Sequence, residues 1–395
     1  MQKGVLVLFL ALALVIAGCQ GGGKGAVSSS STPFIGGSEG LRVSFVENAP
    51  PTEVLDNPKP TDKTQVQKFD VILRLENAGE QDVAWSAIKT TIGGIFPADF
   101  DKATTELKDV IFSTKKAVDQ KLSAADAAKL VLTGVKKDPD GAKIPGGIDE
   151  LTFKDLAYLK MLEGNTEFPI QADVCYKYTT KAVGDFCMRA DLTRSQGGVC
   201  QAKGTKPVFS SGSPVQVTSV DESIGGRSKV ILKFKIKTVG SGSFFKPDAT
   251  GTPNCVRGDF SKENFVRVTV NSGVNGLTCS GFTNNGAIAT GDVRLTNAEG
   301  TITCIQDGVS VDAVQKATVT VDYNHLVTSS TKVLVKHLPG FESSSGGGGI
   351  GTAGVTGACQ PGAKKACTTT GGKAGTQECI EAQWTVCVEN GGALT

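Results

Sequence analysis

The chain has 395 residues and a formal net charge of +2, from 41 basic and 39 acidic side chains. Acids and bases are interspersed, which excludes the clustered basic footprint of a nucleic-acid surface. Forty-nine glycines against 6% aromatic residues suit a loop-rich, strand-rich protein better than a helical one, and the length suits two or three domains.

In chain order, Lys3 and the α-amine precede the uncharged run "GVLVLFLALALVIAG". At about 15 residues it falls short of the roughly 20 that a spanning helix needs, so residues 1–18 read as a secretory signal. The run ends in Ile16-Ala17-Gly18-Cys19, which resembles the lipobox of prokaryotic lipoproteins. In that family a signal peptidase cuts before the cysteine, whose thiol carries a diacylglycerol. The resemblance implies lipidation of Cys19 and attachment to the cell membrane through that lipid. The alternative is a short uncleaved anchor, and either reading puts the body outside the cytoplasmic membrane. "GGGKGAVSSSST" follows, so residues 19–37 form a flexible tether.

Of the 11 cysteines, ten remain once Cys19 is assigned to lipid, an even set suited to an oxidising compartment. The closest cysteines stand eight apart, and the histidines are His325 and His337 alone. Zinc needs tighter spacing or more imidazoles, so neither metal nor cofactor is expected.

Period-two alternation dominates the middle of the chain. In "FDVILRLENAG", Phe69, Val71, Leu73 and Leu75 share a face; in "KVILKFKIKTVG", Val230, Leu232, Phe234 and Ile236 do. Each segment ends in a glycine, Gly79 or Gly240, and each is preceded by a shorter strand, so they form an internal repeat of domain size. Between them, "TTELKDVIFSTKKAVDQKLSAADAAKL" sets Leu107, Val110, Ile111, Val118 and Leu122 at mostly helical spacing, with a capping-box variant at Ser123–Asp126. A helical insertion over about 101–130, covering an open sheet edge, is expected.

The phrase "V-x-L-x-L-E-N-A-G", with "ADVCYKYTTKAVGDFCMR" and "VRLTNAEGTITCIQDG", resembles the cell-adhesion-related and other immunoglobulin-like domains of archaeal and bacterial surface proteins. The resemblance implies a mainly β fold with two tandem immunoglobulin-like β-sandwiches. The first spans 38–212 and carries the helical insertion; the second spans 213–340. A Gly/Ser linker (341–357) then leads to a Cys-rich module at 358–390.

Facing arguments propose three disulfides. Cys175 and Cys187 both point away from the apolar face of a hairpin turning at "TTKAVG", which pairs them if register sets them opposite. Cys279 and Cys304 share faces with Leu277 and Ile302 and form an internal staple. Cys200 and Cys255 remain, and pairing them locks the two sandwiches together. The final module carries Cys359, Cys367, Cys379 and Cys387 around Trp384. It resembles a small "C-x-PG…C…G-T-Q-x-C…W-x-x-C" module of prokaryotic surface proteins. Four cysteines allow three pairings, and Trp384 is either a binding anchor or the module's scant core.

No catalytic constellation emerges. Gly36-x-Ser38-x-Gly40 lacks the strand-then-helix context of a nucleophile elbow. Gly349-x-Gly351-x-x-Gly354 lies in a linker without a βαβ unit. Asp138-Pro-Asp140-Gly141 with Asp149 imitates a calcium loop poorly and reads as a β-turn. The expectation is a non-enzymatic, membrane-anchored surface protein, structural or adhesive, or a scaffold binding envelope proteins or glycans. The alternatives are a solute-binding lipoprotein of a transporter and an extracellular hydrolase.

Overall fold

A computed structural model describes residues 32–395 apart from 65, 102–106, 108, 193–197, 249–250, 309, 339–362, 369–370, 381–382, 385–386 and 390–395. The fold is mainly β, and the part from Phe34 onward forms one unit. The signal, Cys19 and most of the tether lie outside the described residues, as do the whole linker and Cys359.

The first half runs β1 (Leu41–Phe45), β2 (Glu53–Leu55), β3 (Lys68–Asn77), β4 (Ile88–Gly93), β5 (Val110–Ile111), α1 (Phe112–Gln120), α2 (Ala124–Lys129), β6 (Ile148–Tyr158) and β7 (Thr166–Met188). After a crossover come β8 (Gly204–Lys206) and β9 (Val208–Ser210). The second half runs β10 (Val215–Gly226), β11 (Lys229–Thr238), β12 (Ser243–Phe245), β13 (Phe265–Asn271), β14 (Ile288–Arg294), β15 (Glu299–Gln306) and β16 (Ala313–Lys336).

Three sheets matter. One runs β1-β3-β6, a second β8-β10-β11-β15, and a ten-stranded sheet built on β14-β13-β16-β7-β4-β5 backs both. The alternating faces read from the sequence are buried as expected: Phe69, Val71, Leu73 and Leu75 on β3, and Val230, Leu232, Phe234 and Ile236 on β11. Each such side chain contributes about 1.5–3 kcal/mol on burial.

The ten-stranded sheet is organised by one long ribbon. β7 and β16 pair antiparallel along the whole of β7, from Thr166 opposite Val335 to Met188 opposite Ala313. The first part of β7 packs under β6, with Tyr158 and Phe168 ring centroids 5.2 Å apart. Its last part packs under β10, where the Cys187 amide donates to Glu222 Oε1 at 2.9 Å. β16 makes the same passage in reverse. Strands from each half therefore complete the other's core, across the 212/213 join.

This ribbon corrects the expected hairpin. Tyr176, Tyr178, Thr180, Ala182, Phe186 and Met188 are all buried, so alternation continues through "TTKAVG" with small residues in place of a turn. Cys175 and Cys187 then lie about 40 Å apart on one strand and cannot bridge. Cys175 pairs instead with Cys255, and Cys187 with Cys200. The proposed Cys200–Cys255 bridge is likewise absent. Cys279 and Cys304 do pair, directly across adjacent strands.

The helical segment is present but oriented differently. Val110 and Ile111 form β5 on the sheet edge beside β4, and Val118 is 72% exposed. The buried face of α1 is Phe112, Ser113 and Lys116. Lys116 decides this: its ammonium reaches Asp149 at 2.7 Å and the Glu150 carbonyl at 3.1 Å and lies 5.4 Å from the centre of the Trp85 ring, so the buried cation is paired. Ser123 caps α2 as expected, accepting from the Asp126 amide at 3.1 Å.

At the C-terminus, β17 (Lys364–Thr368) and β18 (Ala374–Ile380) form a hairpin, joined by β19 (Gln383–Trp384) and β20 (Val388–Glu389). Cys367 pairs with Cys387, and Cys379 is also in a disulfide. That settles one of the bridges the sequence left open. The Trp384 side chain lies outside the described residues.

Candidate functional site

The repeat seen in the sequence becomes a two-fold relation in space. Leu41 pairs with Asn77, two residues before Gly79, as Val215 pairs with Thr238, two before Gly240. β6 and β15 occupy matching places beside β3 and β11. On the ribbon, Tyr176 faces His325 and Tyr178 faces Tyr323, so the relation exchanges Tyr176 with Tyr323 and Tyr178 with His325.

These four rings sit where the halves meet. The Leu41 amide donates to the Tyr176 hydroxyl at 2.8 Å; the Tyr323 hydroxyl lies 3.3 Å from Thr180 Oγ1, which donates to the Val215 carbonyl at 2.6 Å. The Tyr176 hydroxyl lies 2.7 Å from His325 Nδ1, and His325 Nε2 lies 2.7 Å from the Ser241 carbonyl. A carbonyl only accepts, so Nε2 carries the proton and Nδ1 accepts from tyrosine. Burial pushes the His325 pKa down to about 4, against the opposing pull of the Ser241 carbonyl. The neutral imidazole stacks on Phe244, centroids 4.7 Å apart. Both its nitrogens are committed to holding the join, and β16 runs on through it from Ala313 to Lys336.

The repeat glycines have a steric cause. A Cβ on Gly79 would meet the Tyr178 hydroxyl at 1.9 Å and the Glu39 carbonyl at 2.6 Å; one on Gly240 would meet the Ser38 carbonyl at 2.5 Å. Main chains cross too closely here for any side chain.

Beside this cluster lies a groove of about 490 Å³, bounded by the edge of β1, by Pro214 and Gly240, and by His325 and Val327 of β16. Arg42 on its rim is paired with Glu39 and Glu76, and Arg74 with Glu150 at 3.8 Å. Such exposed pairs contribute little stability, and they leave the rim close to neutral. Ser38 also borders the groove, but a strand follows it and His325 is already engaged, so no nucleophile–base pair forms.

On the outer face of the ribbon, the chain from Gly251 to Glu263 is held down by the Cys175–Cys255 bridge. Arg257 adds bonds to Asp173 at 3.1 and 3.2 Å and to Thr328 at 2.8 Å. Cys175 points outward as expected, yet only 3% of it is exposed because Cys255, Phe245 and Leu326 cover it.

Asp138 closes a turn, its carboxylate accepting from the Ala142 amide at 2.7 Å. Asp149 is occupied by Lys116, so no calcium loop is assembled. His337 Nδ1 meets Asp56 Oδ2 at 2.7 Å. Burial raises the Asp56 carboxyl, but the Leu162 amide, His337 and the Leu338 amide together hold it below the usual range. Among the described residues, no three His, Cys, Asp or Glu side chains gather to hold a metal.

The sequence reading missed Glu222. Its side chain is fully enclosed; burial pushes its pKa up to about 7 against the Cys187 amide and the Lys206 ammonium, 3.5 Å away. A bulge between Val217 and Ser219 shifts the strand's phase and turns Glu222 inward. No protein family, no curated protein and no solved structure matches this chain.

Proposed function

We propose that this is a non-enzymatic cell-surface protein, anchored to the membrane through a lipid on Cys19, in which the paired immunoglobulin-like halves serve as a rigid display and binding scaffold. Envelope proteins or glycans are the partners of this reading. The observation that carries it is the strand-exchanged, disulfide-stapled core, whose central histidine is spent on holding the halves together. The four disulfides among the described residues indicate an oxidising, extracytoplasmic environment. Among the described residues no helix is long and apolar enough to cross a membrane. Attachment through the N-terminus supplies the anchor.

The test is the intact mass of native, membrane-extracted protein, non-reduced and treated with a thiol-blocking reagent. Loss of residues 1–18, a lipid-sized increment on Cys19 and no blocked thiol support the reading. Retention of residues 1–18, or several blocked thiols, overturns it.

A further inference from the structure

The two halves differ on one flank, and the difference identifies a binding site. In the second half the gap between the layers is closed by β9. It pairs with β7 at Ala182–Gly184 and so extends the ten-stranded sheet. It also reaches the facing layer: Ser210 Oγ donates to the Val217 carbonyl at 2.9 Å and accepts from the Val217 amide at 3.1 Å. Both outward polar groups of that edge residue are thereby satisfied, which matters because unpaired edge groups are costly when covered and adhesive when bare.

By the register already described, Val217 corresponds to Val43 of β1, and Ala182–Gly184 to Ser329–Thr331 of β16. β1 is the last strand of its layer. Among the described strands, none pairs with Val327–Val333 on the side away from β7. β12 ends its pairing at Leu326, and β2 begins at Leu334. The Leu334 amide points to this side, donating to the Thr52 carbonyl at 2.9 Å. Alternation therefore sends the amides of Thr328, Ser330 and Lys332 the same way. The groove of about 490 Å³ lies along this flank, between the edge of β1 and β16 at Val327.

The chain's own counterpart of β9 does not fill it. Phe34–Gly37 stands as far upstream of Leu41 as Val208–Ser211 does of Val215. It runs elsewhere, its Ile35 and Gly36 amides held by the Glu80 carboxylate at 2.8 and 3.0 Å and its Gly37 carbonyl by the Ser213 amide at 3.0 Å. Gly36 also stands where Ser210 supplies the hydroxyl, so it has nothing to offer Val43.

We propose that this groove binds an extended peptide segment of a partner protein, which adds as a strand to β16 at Thr328–Lys332 and sets a Ser or Thr hydroxyl against Val43, as Ser210 does against Val217. β9 gives the side-chain pattern. Val208 and Ser210 are partly buried and Phe209 is exposed, so the segment reads apolar, any residue, then Ser or Thr. Main-chain bonds to the open edge give affinity, and the alternate side chains give selectivity. The inference refines the binding-scaffold reading of the preceding section.

The test uses the full chain and a synthetic heptapeptide copying Lys206–Gly212 (KPVFSSG). Its readouts are titration calorimetry and hydrogen-exchange mass spectrometry. Saturable binding is expected, with exchange slowed at least threefold in fragments covering 41–45 and 327–333. Replacing the serine that copies Ser210 by alanine weakens binding about thirtyfold, the loss of two ordinary hydrogen bonds. Val43→Pro removes an amide that faces the groove rather than β3 and weakens binding further. Ser330→Pro does the same from the ribbon side and stands in if the first variant misfolds. Absence of binding, protection confined to residues 204–210, or protection of the groove by a second copy without peptide would each overturn the proposal. An empty groove leaves the intact-mass test of anchoring unaffected, so the two failures are distinguishable.

Discussion

The two halves share a strand plan and differ in how their flanks are finished. Both set three strands (β1-β3-β6, β10-β11-β15) over a fourth and a long fifth, and each gives the end of its fifth strand to the other's core. The second half has a closed flank, an internal disulfide and a buried glutamate. In the first, a helical pair follows the edge strand β5, and β1 ends at Phe45 in a turn before it reaches a position like that of Glu222. The comparison teaches that what lies at the join was kept in both copies, while the edges were free to diverge. Tyr176 is hydrogen-bonded to Leu41 and Tyr323 is tied through Thr180 to Val215, each in the strand that opens its half; no such match exists at Ser210 and Gly36.

The largest effect should come from separating the halves. Residues 34–212 and 213–338, expressed singly, should show no cooperative unfolding transition, because the inward residues of β7 and β16 would face a missing layer. Co-expression should restore one. Two independently folding fragments would break the comparison outright.

Disulfides come next. Cys175–Cys255 spans a sequence separation of 80 and Cys187–Cys200 one of 13. Loop-closure entropy assigns them about 4–5 and about 3 kcal/mol respectively. Paired serine replacements, followed by denaturant unfolding, should rank in that order.

Glu222→Gln sharpens the contrast through pH. The folded-state pKa of Glu222 is about 7 against 4.5 unfolded, so between these values the folded state binds more protons and stability falls as pH rises. Above pH 7 the full cost, about 3 kcal/mol, is present. The variant should therefore be more stable than the native protein at pH 8 by up to about 3 kcal/mol and match it at pH 4.5. His325 has the opposite slope. Its pKa falls from 6.5 to about 4 on folding, so stability is lost as pH drops through that window. With Glu222 removed, melting temperatures between pH 6.5 and 4.5 should decline on acidification, where the native curve stays flatter.

The smallest effect tests the symmetry itself. Gly79→Ala and Gly240→Ala meet main-chain atoms at similar distances. Each should cost about 1–3 kcal/mol by overpacking, to a similar degree, in thermal unfolding. A neutral result at one site would mean that the join is not equivalent on its two sides.

Much of the strand plan was legible because β3 and β11 alternate cleanly and end in paired glycines. Cys279–Cys304 was legible too, since both cysteines share a face with core residues on adjoining strands. β7 was misread because Thr180, Ala182 and Gly184 look like turn residues. They are small because the ribbon passes there from one layer to the other. Facing rules gave the side on which Cys175 and Cys187 lie, but not their distance. Helical spacing named Val118 and Leu122, while the buried contact was made by Lys116, whose aliphatic stem no hydropathy pattern reveals. Glu222 was hidden by a one-residue bulge, and the groove by the fact that an open edge is known only from what fails to pair with it.

Native-state hydrogen exchange across the ribbon tests the central claim most directly. Amides at 170–188 and at 315–335 are expected to exchange through one shared opening, at the free energy of global unfolding and with a common denaturant dependence. If 181–188 opened independently of 170–178, each following its own half, strand exchange would not hold the molecule together and the account would be wrong.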